Sequence, residues 1–137
     1  MRYFDASALA KRDVREPGSL RVRRLLSSDT PATGRLSAVE IGSADATPAP
    51  GPDRRRRSRP GPGRVDRDLA AMLVVELAPV VVDRAMSVLR RHALRAEDAM
   101  QLASYLHLRD ALGEESTFVA FDERLVGAAR KERVRVV

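Results

Sequence analysis

The sequence predicts an α/β fold, a mainly parallel sheet with helices on both faces, and three observations predict it. Short, continuously apolar segments alternate with segments whose apolar residues recur at helical spacing, the pattern of a parallel sheet covered on both sides. The chain of 137 residues is long enough for one such domain with a real core and too short for two of ordinary size. Acidic residues also stand at the ends of apolar segments scattered along the chain: Asp5, Glu40, Asp98 and Asp122.

Taken in order, RYF at 2–4 is a short buried strand ending at Asp5, and ALAKRDV then reads as a short helix. Pro17 opens a second helix, GSLRVRRLLSS, with an apolar stripe of Leu20, Val22, Leu25 and Leu26. PATGRLS carries a weak second strand. LSAVEIGSA begins a helix with Ser37 as N-cap and Glu40 three residues later, the spacing of a capping box. DRDLAAM is helical, MLVVEL is a strand, and Pro79 starts a helix through VVVDRAMSVLRRH. RAEDAMQLASYLHLRDALG is the strongest helix, with Ala99, Leu102, Ala103, Leu106 and Leu112 aligned and Gly113 at the C-cap. STFVAF is a buried strand, DERLVGAARKE a helix and VRVV a final strand.

One stretch breaks the pattern. Residues 44–64, ADATPAPGPDRRRRSRPGPGR, alternate prolines and glycines with arginines and offer no large apolar side chain, the composition of a disordered or extended linker. The net charge of +6 is concentrated there: six arginines against Asp45 and Asp53 leave +4 in the stretch and +2 elsewhere. A chain that is nearly neutral outside one run is weak evidence for a nucleic-acid surface, and any contact of Arg54 to Arg57 with phosphates would be sequence-independent and salt-sensitive.

Composition excludes several chemistries. Without cysteine there is no disulfide scaffold, thiolate zinc site or cysteine nucleophile. No apolar run approaches membrane-spanning length and the N-terminus lacks a signal-peptide core, so a cytoplasmic protein with no membrane partner is expected. His92 and His107 have no partner at ligand spacing. Ser7 lies in no Ser-His-Asp order, and Gly-rich phosphate loops are absent.

Carboxylates remain. In open α/β sheets ligands bind outside the carboxyl ends of the strands, where Asp5 and Asp122 fall, and converging carboxylates repel one another unless a cation neutralises them. Oxygen ligands without His or Cys select Mg²⁺ or Mn²⁺, and such an ion activates water and stabilises charge developing on a phosphodiester. Each acid also has an ordinary reading. Asp5 and Asp122 would cap the helices that follow them, and Glu40 would complete a capping box. Asp98 is harder to dismiss, because an acid beside a buried helical face costs stability unless it is paired or metal-bound.

MRYFDASALAK, REPGS, RLSAVEI, LRAEDAMQLAS and TFVAFDERLVGAAR, in that order, resemble a PIN domain of the VapC toxin type, over residues 1–43 and 65–137. The resemblance implies a three-layer α/β/α sandwich and a single domain, 1–137, interrupted at 44–64. It also implies an endoribonuclease toxin dependent on Mg²⁺ or Mn²⁺ that hydrolyses RNA phosphodiester bonds, a cognate antitoxin that neutralises it, and a homodimer. Asp5, Glu40, Asp98 and Asp122 match the four motif acids in order, with Asp5, Asp98 and Asp122 as metal ligands and Ser7 in the small hydroxyl place. The family has a helical pair rich in Ala, Arg and Glu where this chain has 44–64. That stretch is either a frame-shifted reading of a GC-rich helical segment or a genuine basic loop contacting RNA. A second reading of the whole stays open: a catalytically impaired remnant that only binds antitoxin or RNA.

Overall fold

The computed structural model describes residues 1–13, 16–46, 64–113 and 115–137. Its elements in order are β1 (Arg2–Phe4), α1 (Ala6–Lys11), α2 (Ser19–Ser27), β2 (Pro31–Gly34), α3 (Leu36–Ala46), α4 (Arg64–Ala70), β3 (Leu73–Val75), α5 (Pro79–Arg91), α6 (Ala96–Leu112), β4 (Thr117–Val119) and α7 (Glu123–Lys131). The strands form one sheet in the order β3, β2, β1, β4, with every pairing parallel.

Alternation along the central strand creates the layers. Successive residues of a strand point to opposite faces, so Tyr3 enters a cluster with residues of α5, α6 and α7, while Phe4 enters one with Ala8, Leu9 and Val22 of α1 and α2. The result is the three-layer α/β/α arrangement. In the larger cluster, Tyr3 stacks on Phe118 of the neighbouring strand at 5.6 Å between centroids and meets Tyr105 of α6 edge-on at 5.9 Å. Against this face pack Val81, Ala85 and Val88 of α5, spaced to share one side of their helix.

The chain steps from β1 to β2 to β3 in one direction and then crosses back to place β4 on the other side of β1. The strand order therefore reverses between β1 and β4, and the crevice outside their carboxyl ends is where such sheets bind ligands. Asp5 directly follows β1, and Asp122 follows β4 by three residues.

Several expected features take a different form. VRVV makes only a single bridge, Phe118 to Val136, because Arg133 turns the chain at φ 58° and the remaining residues are too few to extend the pairing. α2 begins at Ser19 behind Gly18 and not at Pro17. Gly18 adopts φ 95°, and a Cβ there would meet the Phe121 ring at 3.0 Å. Leu20 and Leu112, expected on apolar stripes, are 69% and 43% exposed. α3 runs to Ala46 and α4 starts at Arg64, so helices enter both ends of the stretch expected as linker. The readings of 47–63 fall outside the described residues. Among those described, no helix is long and apolar enough to cross a membrane.

Candidate active site

Asp5 performs two tasks with one carboxylate. It caps α1, Oδ1 accepting the Ala8 amide at 2.7 Å, and its Oδ2 accepts the Ser7 hydroxyl at 2.8 Å. It is only 4% exposed. Burial nevertheless outweighs those hydrogen bonds and, aided by the charges of Glu40 and Asp98, pushes its carboxyl up from 3.8 to about 6.

Glu40 is the fifth residue of α3, beyond the first turn, and does not form the expected capping box. Ser37 lies inside the helix with its hydroxyl buried against Thr33 and Gln101, and Glu40 turns to Gln101, whose Nε2 donates to Oε2 at 2.6 Å. Buried polar partners outcompete a local cap because they would otherwise be unsatisfied. Burial raises the Glu40 carboxyl, opposed by the Gln101 hydrogen bond and assisted by Glu97 and Asp98. Asp98 stands in the first turn of α6; its carboxyl is raised first by burial and then by Asp122 and Glu97. Asp122 is the N-cap of α7, its Oδ1 accepting the amides of Arg124 and Leu125, both at 2.9 Å.

The charges of Glu40 and Asp98 thus raise Asp5, those of Glu97 and Asp98 raise Glu40, and those of Asp122 and Glu97 raise Asp98, which links acids from separate elements. The capping reading holds for Asp5 and Asp122, and a cap on Oδ1 still leaves each a second carboxylate oxygen. Among the described residues no three of the His, Asp and Glu side chains close into a group able to hold an ion. Two participants were not singled out from the sequence. Glu97 adds charge beside Asp98, and the adjacent Glu-Asp pair was its only signal. Gln101 was legible only as a polar residue on a helix otherwise deeply buried from Ala99 to Leu106.

No family model matches the chain. The chain is 36% identical over 137 residues to Ribonuclease VapC45 of Mycobacterium tuberculosis strain CDC 1551 / Oshkosh and equally to Ribonuclease VapC49 of strain ATCC 25618 / H37Rv, with 98% of this chain and 92% of each relative covered. The chain belongs to the VapC ribonuclease family of PIN-domain proteins. Solved structures agree with the VapC fold at 14% identity: FitAB bound to an IR36 DNA fragment matches with a TM-score of 0.68, covering 100% of this chain and 94% of that one. A toxin-antitoxin complex from Klebsiella pneumoniae matches at 0.65, covering 93% and 92%, and FitAcB from Neisseria gonorrhoeae at 0.63, covering 99% and 96%. The VapC relatives align across nearly the whole chain, so the Pro- and Arg-rich stretch lies within the matched span.

Proposed function

We propose that this chain is the toxin nuclease of a toxin-antitoxin pair, an endoribonuclease that hydrolyses RNA phosphodiester bonds in the cytoplasm at the crevice of Asp5, Glu40, Asp98 and Asp122, with Mg²⁺ or Mn²⁺ as its cofactor. One observation carries the reading: Asp5 directly after β1, Glu40 on α3 and Asp98 on α6 all have carboxyls raised by burial and by neighbouring acids, Asp5 by Glu40 and Asp98, Glu40 by Glu97 and Asp98, and Asp98 by Asp122 and Glu97. Such a donor set is relieved by a hard cation, and its all-oxygen chemistry fits Mg²⁺ or Mn²⁺. The names of the VapC relatives support RNA as substrate, and the toxin-antitoxin complex among the fold neighbours supports an antitoxin partner.

Asp5, Asp98 and Asp122 would hold the ion, which when bound supplies an activated water and offsets charge on the phosphoryl oxygens. Ser7 and the Ala8 amide hold the Asp5 carboxylate in place. Glu40, anchored by Gln101 through one oxygen, keeps the other available to orient the attacking water.

Incubation of a structured RNA panel with the purified protein, in Mn²⁺ or EDTA and beside Asp98→Asn, tests the reading once circular dichroism has shown both proteins folded. Cutting is expected in Mn²⁺, absent in EDTA and reduced by about 100-fold or more in the variant. A folded wild-type protein that cuts no RNA in Mn²⁺ would leave only the binding remnant.

A further inference from the structure

Behind the acids runs a buried polar network centred on Gln101. This residue lies three positions beyond Asp98 on α6 and is 2% exposed. Its amide meets different company at each end. Oε1 accepts the hydroxyl of Tyr3, two residues before Asp5 on β1, at 2.8 Å. Nε2 donates to Glu40 Oε2 at 2.6 Å and to Ser37 Oγ at 3.0 Å.

The partners themselves set the direction of every bond. An ionised carboxylate only accepts, so the amide nitrogen must face Glu40, and the phenol then donates to the amide oxygen. Thr33 Oγ1 donates to the Phe4 carbonyl at 2.8 Å, so in the 2.7 Å contact between Thr33 and Ser37 the serine supplies the proton. That leaves Ser37 Oγ to accept from Gln101. Both amide protons and the amide oxygen are therefore used, and one proton goes to an acid of the crevice.

A second observation shows that space is reserved for this network. Gly34, the last residue of β2, lies against it. A Cβ there would come 2.7 Å from the Tyr3 hydroxyl oxygen and 3.4 Å from Gln101 Oε1. The relay joins β1, β2, α3 and α6, and three of these elements carry or directly precede Asp5, Glu40 and Asp98.

We infer that Gln101 is the positioning residue of the acidic crevice: it holds Glu40 of α3 at a set place beside Asp98 of α6 and, through Tyr3 of β1, beside Asp5, which follows that strand. The inference rests on the crevice being the nuclease site. A glutamine that served only the core would need its bonds to Tyr3 and Ser37, but not the one to the half-buried carboxylate. Partners of this kind, which orient groups around a metal without binding it, carry about 10- to 100-fold in metal affinity or rate.

The test is a double-mutant cycle of Gln101→Leu with Glu40→Gln, read by Mn²⁺ titration calorimetry, RNA cutting and thermal melting in EDTA. Gln101→Leu is expected to weaken Mn²⁺ binding and slow cutting by about 10- to 100-fold, and to add little to either loss in the Glu40→Gln background. Tyr3→Phe removes one hydroxyl from an otherwise unchanged ring and keeps the test open if Gln101→Leu does not fold. It is expected to give a smaller loss with the same non-additivity. Equal losses in both backgrounds, or unchanged Mn²⁺ affinity and cutting, would reduce Gln101 to a core residue. A wild-type protein that neither binds Mn²⁺ nor cuts would overturn the functional reading instead. The relay is then judged by the Gln101 side-chain amide in ¹⁵N NMR: protection from exchange and a shift on Glu40→Gln support it, and a freely exchanging amide overturns it.

Discussion

Asp5→Asn removes the charge of the most buried acid while leaving an oxygen to cap α1, so it separates the electrostatic cost of the site from its structural role. The folded carboxyl holds its proton up to about 6 against an ordinary 3.8. At 1.36 kcal/mol per unit, ionising it in the folded protein costs roughly 3 kcal/mol, an order-of-magnitude figure. The sign follows from proton counting. Between pH 4 and 6 the unfolded chain has released this proton and the folded chain retains it, so wild-type stability falls as pH rises through that window, and the cost is fully present above about 6. Asparagine has no such titration and keeps Oδ1 for the Ala8 amide. In urea denaturation with EDTA, Asp5→Asn is therefore expected to be more stable than wild type by up to about 3 kcal/mol at pH 8, with the difference vanishing near pH 4. Saturating Mn²⁺ should stabilise the wild type and not the variant, narrowing or reversing the gap. A variant less stable than wild type at pH 8 in EDTA, or a difference that does not change with pH, would refute the reasoning and make Asp5 chiefly a cap.

Three further outcomes test the packing around the site. Gly34→Ala places a methyl 2.7 Å from the Tyr3 hydroxyl oxygen and should cost about 1–3 kcal/mol in urea denaturation, with a loss of RNA cutting as the relay shifts. Phe118→Ala removes the ring stacked on Tyr3 and tilted against Tyr105 and should cost about 3–5 kcal/mol, measured the same way. Arg12→Met breaks the ion pairs to Asp13 and Asp68 that tie α1 to α4; because these pairs are partly exposed, the loss should stay near 1 kcal/mol and shrink in high salt.

The helices and most strands were legible because their signals are local. RYF and STFVAF form β1 and β4, Pro79 opens α5, and Gly113 closes α6 at φ 62°. Local signals failed where a distant partner decided the outcome. Ser37 and Glu40 have capping-box spacing, yet both turn toward Gln101, 61 residues along the chain from Glu40. Leu112 continues the spacing of the α6 stripe but is the last residue of the helix, six positions beyond its buried stretch ending at Leu106. VRVV has strand composition, but the turn at Arg133 leaves it one bridge to β4. Gln101 escaped notice because an uncharged amide has no signature in one sequence, and its role depends on what stands opposite it.

The class of fold and the inventory of acids were legible in the chain, because strand and helix periodicity and residue chemistry are written position by position along it. The sequence also determined that Asp5, Asp98 and Asp122 would fall at the starts of helices, while Glu40 lies inside α3. Which strands are neighbours is fixed by the folded sheet, and with it the switch point between β1 and β4, after which Asp5 and Asp122 follow. The tertiary structure likewise decided that Glu40 and Asp98 raise the Asp5 carboxyl and that a buried glutamine bonds to Tyr3 of β1 and Glu40 of α3. Electrostatic coupling and hydrogen bonding act over a few ångströms in space, and residues 35 to 98 positions apart in the chain reach that range only after the crossovers of the sheet are made.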